Sequence, residues 1–72
     1  MAHHKVTAPF VVMQHIDNLT ELRMEKGLSR RNIADKTGLR IEYIAQYERG
    51  YCFPKKDNYN KLAKFFNWEE WE

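Results

Sequence analysis

Apolar residues recur at helical spacing along most of the chain. Ile16, Leu19 and Leu22 follow one another at intervals of three, which predicts a helix over about Gln14–Lys26 with one apolar face. Gly27 comes directly after this segment, and glycine is the residue that most often ends a helix. The first predicted element is therefore an amphipathic helix with a sharp end.

The segment before this helix carries no such periodicity. Residues 1–13 are therefore predicted to form an N-terminal arm, and residues 14–72 the folded domain. Within the arm, the β-branched residues of Val6–Met13 favour a short strand or an extended segment.

Two short helices joined by a tight turn are predicted in the middle of the chain. The first spans about residues 30–37 and follows Ser29, a favourable N-cap, and the second spans about residues 41–49 and ends at Gly50. Gly38 lets the chain reverse within about four residues, the length typical of a helix-turn-helix. The residues expected to face inward are Leu28, Ile33, Ala34, Leu39, Ile44 and Tyr47.

The rest of the chain predicts a loop and one more helix. Pro54 disfavours helix at the residue before it, so a loop is expected there. A fourth helix is expected over about Asp57–Phe66, and Asn67 tolerates the left-handed conformation that ends a helix. The interval between Trp68 and Trp71 predicts a final short helical turn. Together these patterns predict an all-α fold.

Composition limits the classes of protein to which the chain can belong. With 72 residues, of which 43% are apolar and 14% aromatic, it is expected to fold as one domain around a small core. Cys52 is the only cysteine, which excludes an intrachain disulfide and a cysteine-rich zinc site. No segment approaches the roughly 20 apolar residues of a membrane span, and Ala8–Met13 is too short for the core of a secretory signal. The expected location is the cytoplasm.

Positive charge is concentrated in the middle of the chain. The net charge is +2, but residues 30–56 contain seven basic residues against three acids, whereas the last six residues, NWEEWE, contain three glutamates and no base. A basic region of this kind is compatible with phosphate binding, and also with an ordinary solvated surface. Charge alone does not decide between these two interpretations.

The stretch LRMEKGLSRRNIADKTGLRIEYIAQYERG, followed by Pro54 and by KLAKFFN, resembles the Cro and lambda-repressor family of helix-turn-helix domains, also called the xenobiotic-response-element family. The resemblance covers roughly Ile16–Trp71 and implies a compact five-helix DNA-binding domain, usually dimeric, in a bacterial, phage or mobile-element regulator. The matching positions are Leu22, Arg23, Lys26, Gly27, Leu28, Ser29, Ile33, Ala34, Gly38, Leu39, Ile44, Glu48, Gly50, Pro54, Leu62 and Ala63.

The resemblance implies roles for individual residues. Arg23 and Glu48 match a family pair that forms a partly buried ion bridge, so both are interpreted as structural. The second helix of the motif is the recognition helix, and its candidates for contacting bases are Ile41, Glu42, Tyr43 and Gln46. Gln46 is the best of these, because glutamine can pair bidentately with adenine. A solvated surface amide is the alternative for Gln46. The alternatives for the other three are an i,i+4 contact on the helix surface for Glu42, packing against a neighbour for Ile41 and partial burial for Tyr43.

Contacts to the DNA backbone are expected from residues at and near the helix N-termini. Arg40 stands where the family usually has a serine or threonine cap, so the start of the recognition helix is expected to be less well capped. For each lysine in this region, simple solvation is the alternative. The candidates for phosphate contact are Arg30, Arg31, Arg40, Tyr51, Lys55 and Lys56.

The function expected from these features is a DNA-binding transcriptional regulator, a repressor or Cro-like switch that occludes a promoter. It is expected to act on double-stranded DNA as a homodimer, with the aromatic group Phe65, Trp68 and Trp71 either forming the interface or closing the domain's own core. The other hypothesis is a module of the same fold that binds a protein, since Ile41 and Glu42 are unusual for base reading.

Other kinds of activity find little support in the sequence. An enzyme is not expected, because His15 has no acid, base or nucleophile partner at a useful spacing. His3 and His4 alone do not make a metal site. The sequence also predicts no cofactor, no small-molecule ligand and no membrane association.

Overall fold

The computed structural model describes residues 9–72, in which the regular structure consists of five α-helices and no β-strand. The helices are α1 (Pro9–Asp17), α2 (Leu19–Glu25), α3 (Arg30–Thr37), α4 (Ile41–Arg49) and α5 (Lys56–Phe66). This confirms the predicted all-α, five-helix class.

Helix α1 begins earlier than predicted. The extended conformation expected for Val6–Met13 is wrong for residues 9–13, which form the first turns of α1. Residues 1–8, and with them the rest of the predicted arm, lie outside the described residues. Pro9 suits the first position of a helix, since its fixed φ is helical and it has no N–H to leave unpaired. Val12 is fully buried, so packing rather than local pattern stabilises this helix.

The single helix predicted over Gln14–Lys26 is instead two helices that meet at Asn18. The backbone of Asn18 leaves the helical range, with φ −97° and ψ 8°. Hydrogen bonds from Asn18 N to Gln14 O (3.1 Å) and from Leu22 N to Asn18 O (2.9 Å) span the break. The interval of three between apolar residues continues across this bend, which is why the pattern in the sequence reads as one continuous helix.

Helices α3 and α4 form the helix-turn-helix unit, with the bounds predicted from the sequence. Ser29 caps α3 reciprocally: its Oγ accepts from Asn32 N–H (3.0 Å), and Asn32 Oδ1 accepts from Ser29 N–H (2.9 Å). Gly38 ends α3 with φ 80°, a conformation that is costly for residues with a Cβ. Arg40 precedes α4 without a side-chain cap, as expected.

The turn between α3 and α4 is held by apolar and polar contacts. Leu39 is buried, which pins the middle of the turn to the core. Thr37 Oγ1 donates to Ile33 O (2.7 Å) and accepts from Leu39 N–H (3.2 Å). The last residue of α3 is thus hydrogen-bonded both to its own helix and to the turn that follows. The turn therefore fixes the direction in which α4 leaves α3.

The helical turn predicted for Trp68–Trp71 is wrong, because residues 68–72 are not helical. α5 ends at Asn67, which adopts the predicted left-handed conformation with φ 63°. The tail folds back onto α5, where the side chain of Asn60 binds the backbone of Trp71. Asn60 Oδ1 accepts from Trp71 N–H (2.6 Å), and Asn60 Nδ2 donates to Trp71 O (2.9 Å).

One apolar core receives side chains from all five helices. The inward positions predicted in the helix-turn-helix are buried or, for Leu28 and Ala34, half-buried against the core. Burial of this kind is the main favourable term in the stability of so small a domain. The buried core residues are Val12, Ile16, Leu19, Ile33, Leu39, Ile44, Tyr47, Tyr59, Leu62, Ala63 and Phe66.

The terminal aromatic residues pack against the domain's own core. Trp68 stacks on His15 with ring centroids 4.5 Å apart, and Trp71 meets Tyr59 edge-on at 5.9 Å. Phe65 is also partly buried against this core. This aromatic group was expected either to form a dimer interface or to close the domain's own core. Within the single chain, it closes the core.

His15 is expected to make the stability of the fold depend on pH. Its Nδ1 lies 2.6 Å from the Tyr59 hydroxyl, and burial lowers its pKa below 6.5 more than nearby Glu69 raises it. Burial likewise raises the pKa of Tyr59 to about 12, so that hydroxyl stays neutral throughout. Since the unfolded chain binds a proton at His15 more readily than the folded chain does, stability falls as the pH drops below 6.5.

We therefore expect the Tm to fall between about pH 7 and pH 5.5, and to fall less steeply in His15→Gln. The measurement is thermal denaturation at a series of pH values, followed by circular dichroism. His3 and His4 are present in both proteins, so their titration cancels in the comparison. Equal pH dependence in the two proteins would contradict the assignment to His15.

Candidate nucleic-acid interface

Helix α4 presents one face to the core and the other to solvent. Ile44 and Tyr47 are buried, and the Tyr47 hydroxyl accepts a hydrogen bond from Asn58 Nδ2 (3.2 Å). These anchors lie three residues apart, so the helical repeat turns the intervening positions outward. The half-buried and exposed residues of α4 include Ile41, Glu42, Tyr43, Ala45, Gln46 and Arg49.

Gln46, the best candidate for base contact, is exposed near the end of α4. Cys52 lies beside it across the C-terminal turn, and its Sγ donates to Gln46 Oε1 at 3.4 Å. The Gln46 Nε2 group has no hydrogen-bond partner within the described part of the chain. Both the donor and the acceptor needed for adenine recognition are therefore at the surface, with the acceptor in weak contact with a thiol.

The other three base candidates lie in different surroundings. Glu42 is exposed and faces Arg40, with Oε1 3.7 Å from the arginine Nε, so its charge is partly balanced. Tyr43 is 41% exposed and its ring is tilted against Tyr47. Ile41 is half-buried at the first position of α4. All three are accessible, and none is committed to the core.

Beside this face, a buried carboxylate joins three helices. The side chain of Glu48 in α4 is 1% exposed, and its Oε2 lies 2.6 Å from Arg23 Nε of α2. Arg23 also donates from Nη2 to Glu48 Oε1 (3.3 Å) and from Nη1 to Leu28 O (3.1 Å). The ion bridge expected between Arg23 and Glu48 is thus present in the structure.

A second arginine, not expected from the sequence, shares this carboxylate. Arg30, the first residue of α3, donates from Nε to Glu48 Oε1 at 2.9 Å. Burial alone would raise the pKa of Glu48, but hydrogen bonds from Arg23 and Arg30 and their charges together hold it below its usual 4.5. Glu48 therefore remains ionised at neutral pH and bridges α2, α3 and α4.

The candidates for phosphate contact lie on both sides of α4. Arg40 precedes this helix, Tyr51 follows its end, and Lys55 and Lys56 stand at the start of α5; all four are exposed. Arg31 is exposed on α3, whereas Arg30 is half-buried against Glu48. Apart from Arg30 and Arg40, none of them forms an ion pair among residues 9–72. The charges of Arg31, Lys55 and Lys56 and the hydroxyl of Tyr51 are thus available to an anionic partner.

Two contacts at the candidate site were not predicted from the sequence. The contact of Cys52 with Gln46 depends on the turn at Gly50. The contact between Arg30 and Glu48 joins residues 18 apart in the sequence, and no helical spacing relates them.

The described residues show neither a membrane span nor a metal site. No helix among them has the length and apolar character needed to cross a membrane. Nor, within residues 9–72, do three or more histidine, cysteine or acidic side chains come together where an ion could be held. His3 and His4 lie outside this part of the chain.

Comparison with known families identifies the domain that these helices form. A family model described as a helix-turn-helix domain matches residues 16–71, which include α2 to α5 and the three residues of the ion bridge. No curated protein and no solved structure shows significant similarity to this chain.

Proposed function

We propose that this chain, which belongs to the helix-turn-helix domain family, binds double-stranded DNA sequence-specifically by placing α4 in the major groove. One observation carries the proposal: α4 is fixed to the core through Ile44 and Tyr47, while its opposite face is open. The major groove is about 12 Å wide and admits a helix held in this way. Cations before and after α4 supply the phosphate contacts that set its register.

Within the family, we propose that the domain is of the Cro and lambda-repressor type and acts as a repressor or Cro-like switch. The support is the match of individual positions, from Arg23 to Ala63, and the ion bridge that Glu48 makes. Occupation of a promoter by the bound domain would block transcription without any catalytic step. The chain is accordingly proposed to be a cytoplasmic DNA-binding protein and not an enzyme.

A homodimer remains part of this proposal. Two copies related by a twofold axis would place their α4 helices on half-sites about 10 base pairs apart, on a palindromic sequence. Phe65, Trp68 and Trp71 remain the proposed interface. Their packing against the core leaves only part of each ring for a second copy.

The test is a titration of labelled random duplexes at low salt, followed by selection of bound sites and measurement of oligomeric state. We expect binding that weakens with salt, with log K falling by about 0.9 per phosphate contact for each unit of log salt concentration. Selection should enrich a palindrome if the dimer is correct. Failure to bind any duplex at low salt would overturn the proposal.

Replacement of Gln46 tests base reading directly. Gln46→Ala should weaken binding to the selected site by about 1–3 kcal/mol and leave binding to random duplex nearly unchanged, since only the base contact is lost. Gln14→Ala is the matched control, because Gln14 is also exposed but lies on α1. An equal loss on selected and random DNA would show that Gln46 does not read bases.

A second function on the same fold is binding to a protein partner. It is favoured by exposed aromatic residues around α4, namely Tyr43 (41%), Tyr51 (75%) and Phe53 (42%), and by the acidic Glu42 on the same face. Aromatic residues are enriched in protein interfaces, whereas an acid repels phosphates. The duplex titration separates the two functions, because a protein-binding module need not bind DNA at any salt concentration.

A further inference from the structure

We infer that Glu48 is a positioning residue for DNA binding, which holds Arg30 so that the free end of its guanidinium clamps one phosphate. This inference rests on the proposed function and assigns a particular part of it to two residues. Glu48 belongs to the fold and has no access to DNA itself. Its effect on binding would pass entirely through Arg30.

The first support is the geometry of the guanidinium. Arg30 uses its Nε to bind Glu48 Oε1 at 2.9 Å, and neither of its Nη groups has an acceptor among residues 9–72. The Glu48 side chain is 1% exposed and the Arg30 side chain 34% exposed, so the Nε of Arg30 binds a covered carboxylate while part of the arginine side chain is open to solvent. A guanidinium whose Nε is already bound has a fixed orientation, and its two Nη groups are preorganised to bind two oxygens of a phosphate.

The second support is the balance of charge. Arg23 already neutralises Glu48 through two hydrogen bonds, at 2.6 and 3.3 Å. Arg30 adds a second positive charge to the same carboxylate, so the three residues together carry one excess positive charge. One cation is enough to neutralise one carboxylate, so the charge of the second arginine is not needed for that purpose. The excess charge, at the partly exposed end of the network, is complementary to an anion.

The third support is the position of the network. Arg30 is the first residue of α3, and Glu48 lies two residues beyond Gln46 on α4. A phosphate held by Arg30 is therefore bound from a side chain that is linked directly to the recognition helix. Contacts of this kind fix the register of a helix in the groove, on which base readout depends.

The test compares duplex binding of four proteins, each with all 72 residues: the unaltered sequence, Arg30→Gln, Arg30→Lys and the control Lys61→Gln. Lys61 is exposed on α5 and forms no ion pair in the described residues, so its replacement removes the same charge elsewhere. Arg30→Gln should lower affinity by about tenfold and reduce the salt slope by about 0.9, as expected for one lost phosphate contact. Lys61→Gln should change neither by more than about twofold.

Arg30→Lys distinguishes bidentate binding of the phosphate by an oriented guanidinium from attraction by a positive charge alone. Lysine keeps the charge but has no second donor edge, so affinity should fall several-fold although the charge is unchanged. Duplexes with single uncharged methylphosphonates locate the contact: one position should weaken the natural protein and have no effect on Arg30→Gln. Full affinity in Arg30→Lys, or the absence of such a position, would overturn the inference.

A double-mutant cycle tests the positioning role of Glu48, with all proteins kept at a temperature where circular dichroism shows them folded. Glu48→Gln should weaken DNA binding when Arg30 is present and add no further loss to Arg30→Gln. Independent, additive losses would contradict the coupling. If the natural protein binds no duplex, the proposed function fails; if it binds and Arg30→Gln binds equally well, only this inference fails.

Discussion

Glu48→Ala is expected to lower the free energy of unfolding by about 3–5 kcal/mol, the largest effect of any single change on the polar side chains of this domain. The substitution leaves two guanidiniums without their shared carboxylate, and Arg23 is only 15% exposed, so water replaces the lost bonds poorly. For a domain of this size the total stability is about 4–11 kcal/mol, so the loss is a large fraction of it. Urea denaturation followed by circular dichroism measures the change.

Glu42→Ala is the matched control for this experiment. Glu42 lies on the same helix, but its side chain is exposed and 3.7 Å from an equally exposed Arg40, so its loss should cost less than about 1 kcal/mol. If Glu48→Ala does not fold, Glu48→Gln keeps the shape and removes only the charge. Losses of the same size for Glu48 and Glu42 variants would contradict a structural role for the buried bridge.

Acid should act on the same interaction. Because the pKa of Glu48 is held below 4.5 in the folded chain, its contribution to stability is complete above that pH and disappears as the pH falls through the lower, folded value. The difference in stability between the natural protein and Glu48→Ala should therefore shrink below about pH 4.5. A constant difference down to the lowest pH at which the protein folds would argue against the ionised bridge.

Ile44→Ala is expected to lower the free energy of unfolding by about 2–5 kcal/mol, with a fall in Tm of about 10 °C or more. Ile44 is fully buried on the inner face of α4, so truncation removes apolar contacts and leaves a cavity beneath this helix. The better helix propensity of alanine offsets only a few tenths of a kcal/mol. Thermal denaturation measured by circular dichroism gives the change in Tm.

Ile41→Ala gives the comparison on the same helix with the same change of side chain. Ile41 is half-buried at the outer face, and its truncation should cost less than about 1 kcal/mol. The contrast between the two isoleucines tests the orientation of α4 about its own axis. If Ile41→Ala proved the more destabilising variant, the outer and inner faces of α4 would be wrongly assigned.

The sequence predicts the helix-turn-helix best because its boundaries are determined locally. Ser29 caps α3 through its neighbour Asn32, and Gly38 and Gly50 take the left-handed conformation that each helix end requires. The bend at Asn18 and the path of the C-terminal tail were not predicted. The path of the tail depends on contacts of Asn60 with Trp71, which spacing along the chain does not reveal. The apolar spacing continues through the bend at Asn18, so the pattern does not reveal the bend either.

The candidate site also has features that the sequence predicts and features that it does not. The outward positions of α4 follow from the spacing of Ile44 and Tyr47, so periodicity was enough to find the exposed face. Apart from the pairing of Arg23 with Glu48, the partners of the site residues were not predictable. Arg30 is drawn to Glu48 only because α3 and α4 cross, and Cys52 reaches Gln46 only because the chain reverses at Gly50.

The two faces of α4 also bear on how such a domain evolves. The residues that hold the helix, Ile44, Tyr47 and Glu48, are separate from those proposed to read a partner, although they alternate within nine positions. Replacing Ile41, Glu42, Tyr43 and Gln46 as a group should alter the preferred sequence with little loss of Tm. Gene duplication followed by drift at those four codons would yield paralogues that recognise different operators on an unchanged scaffold.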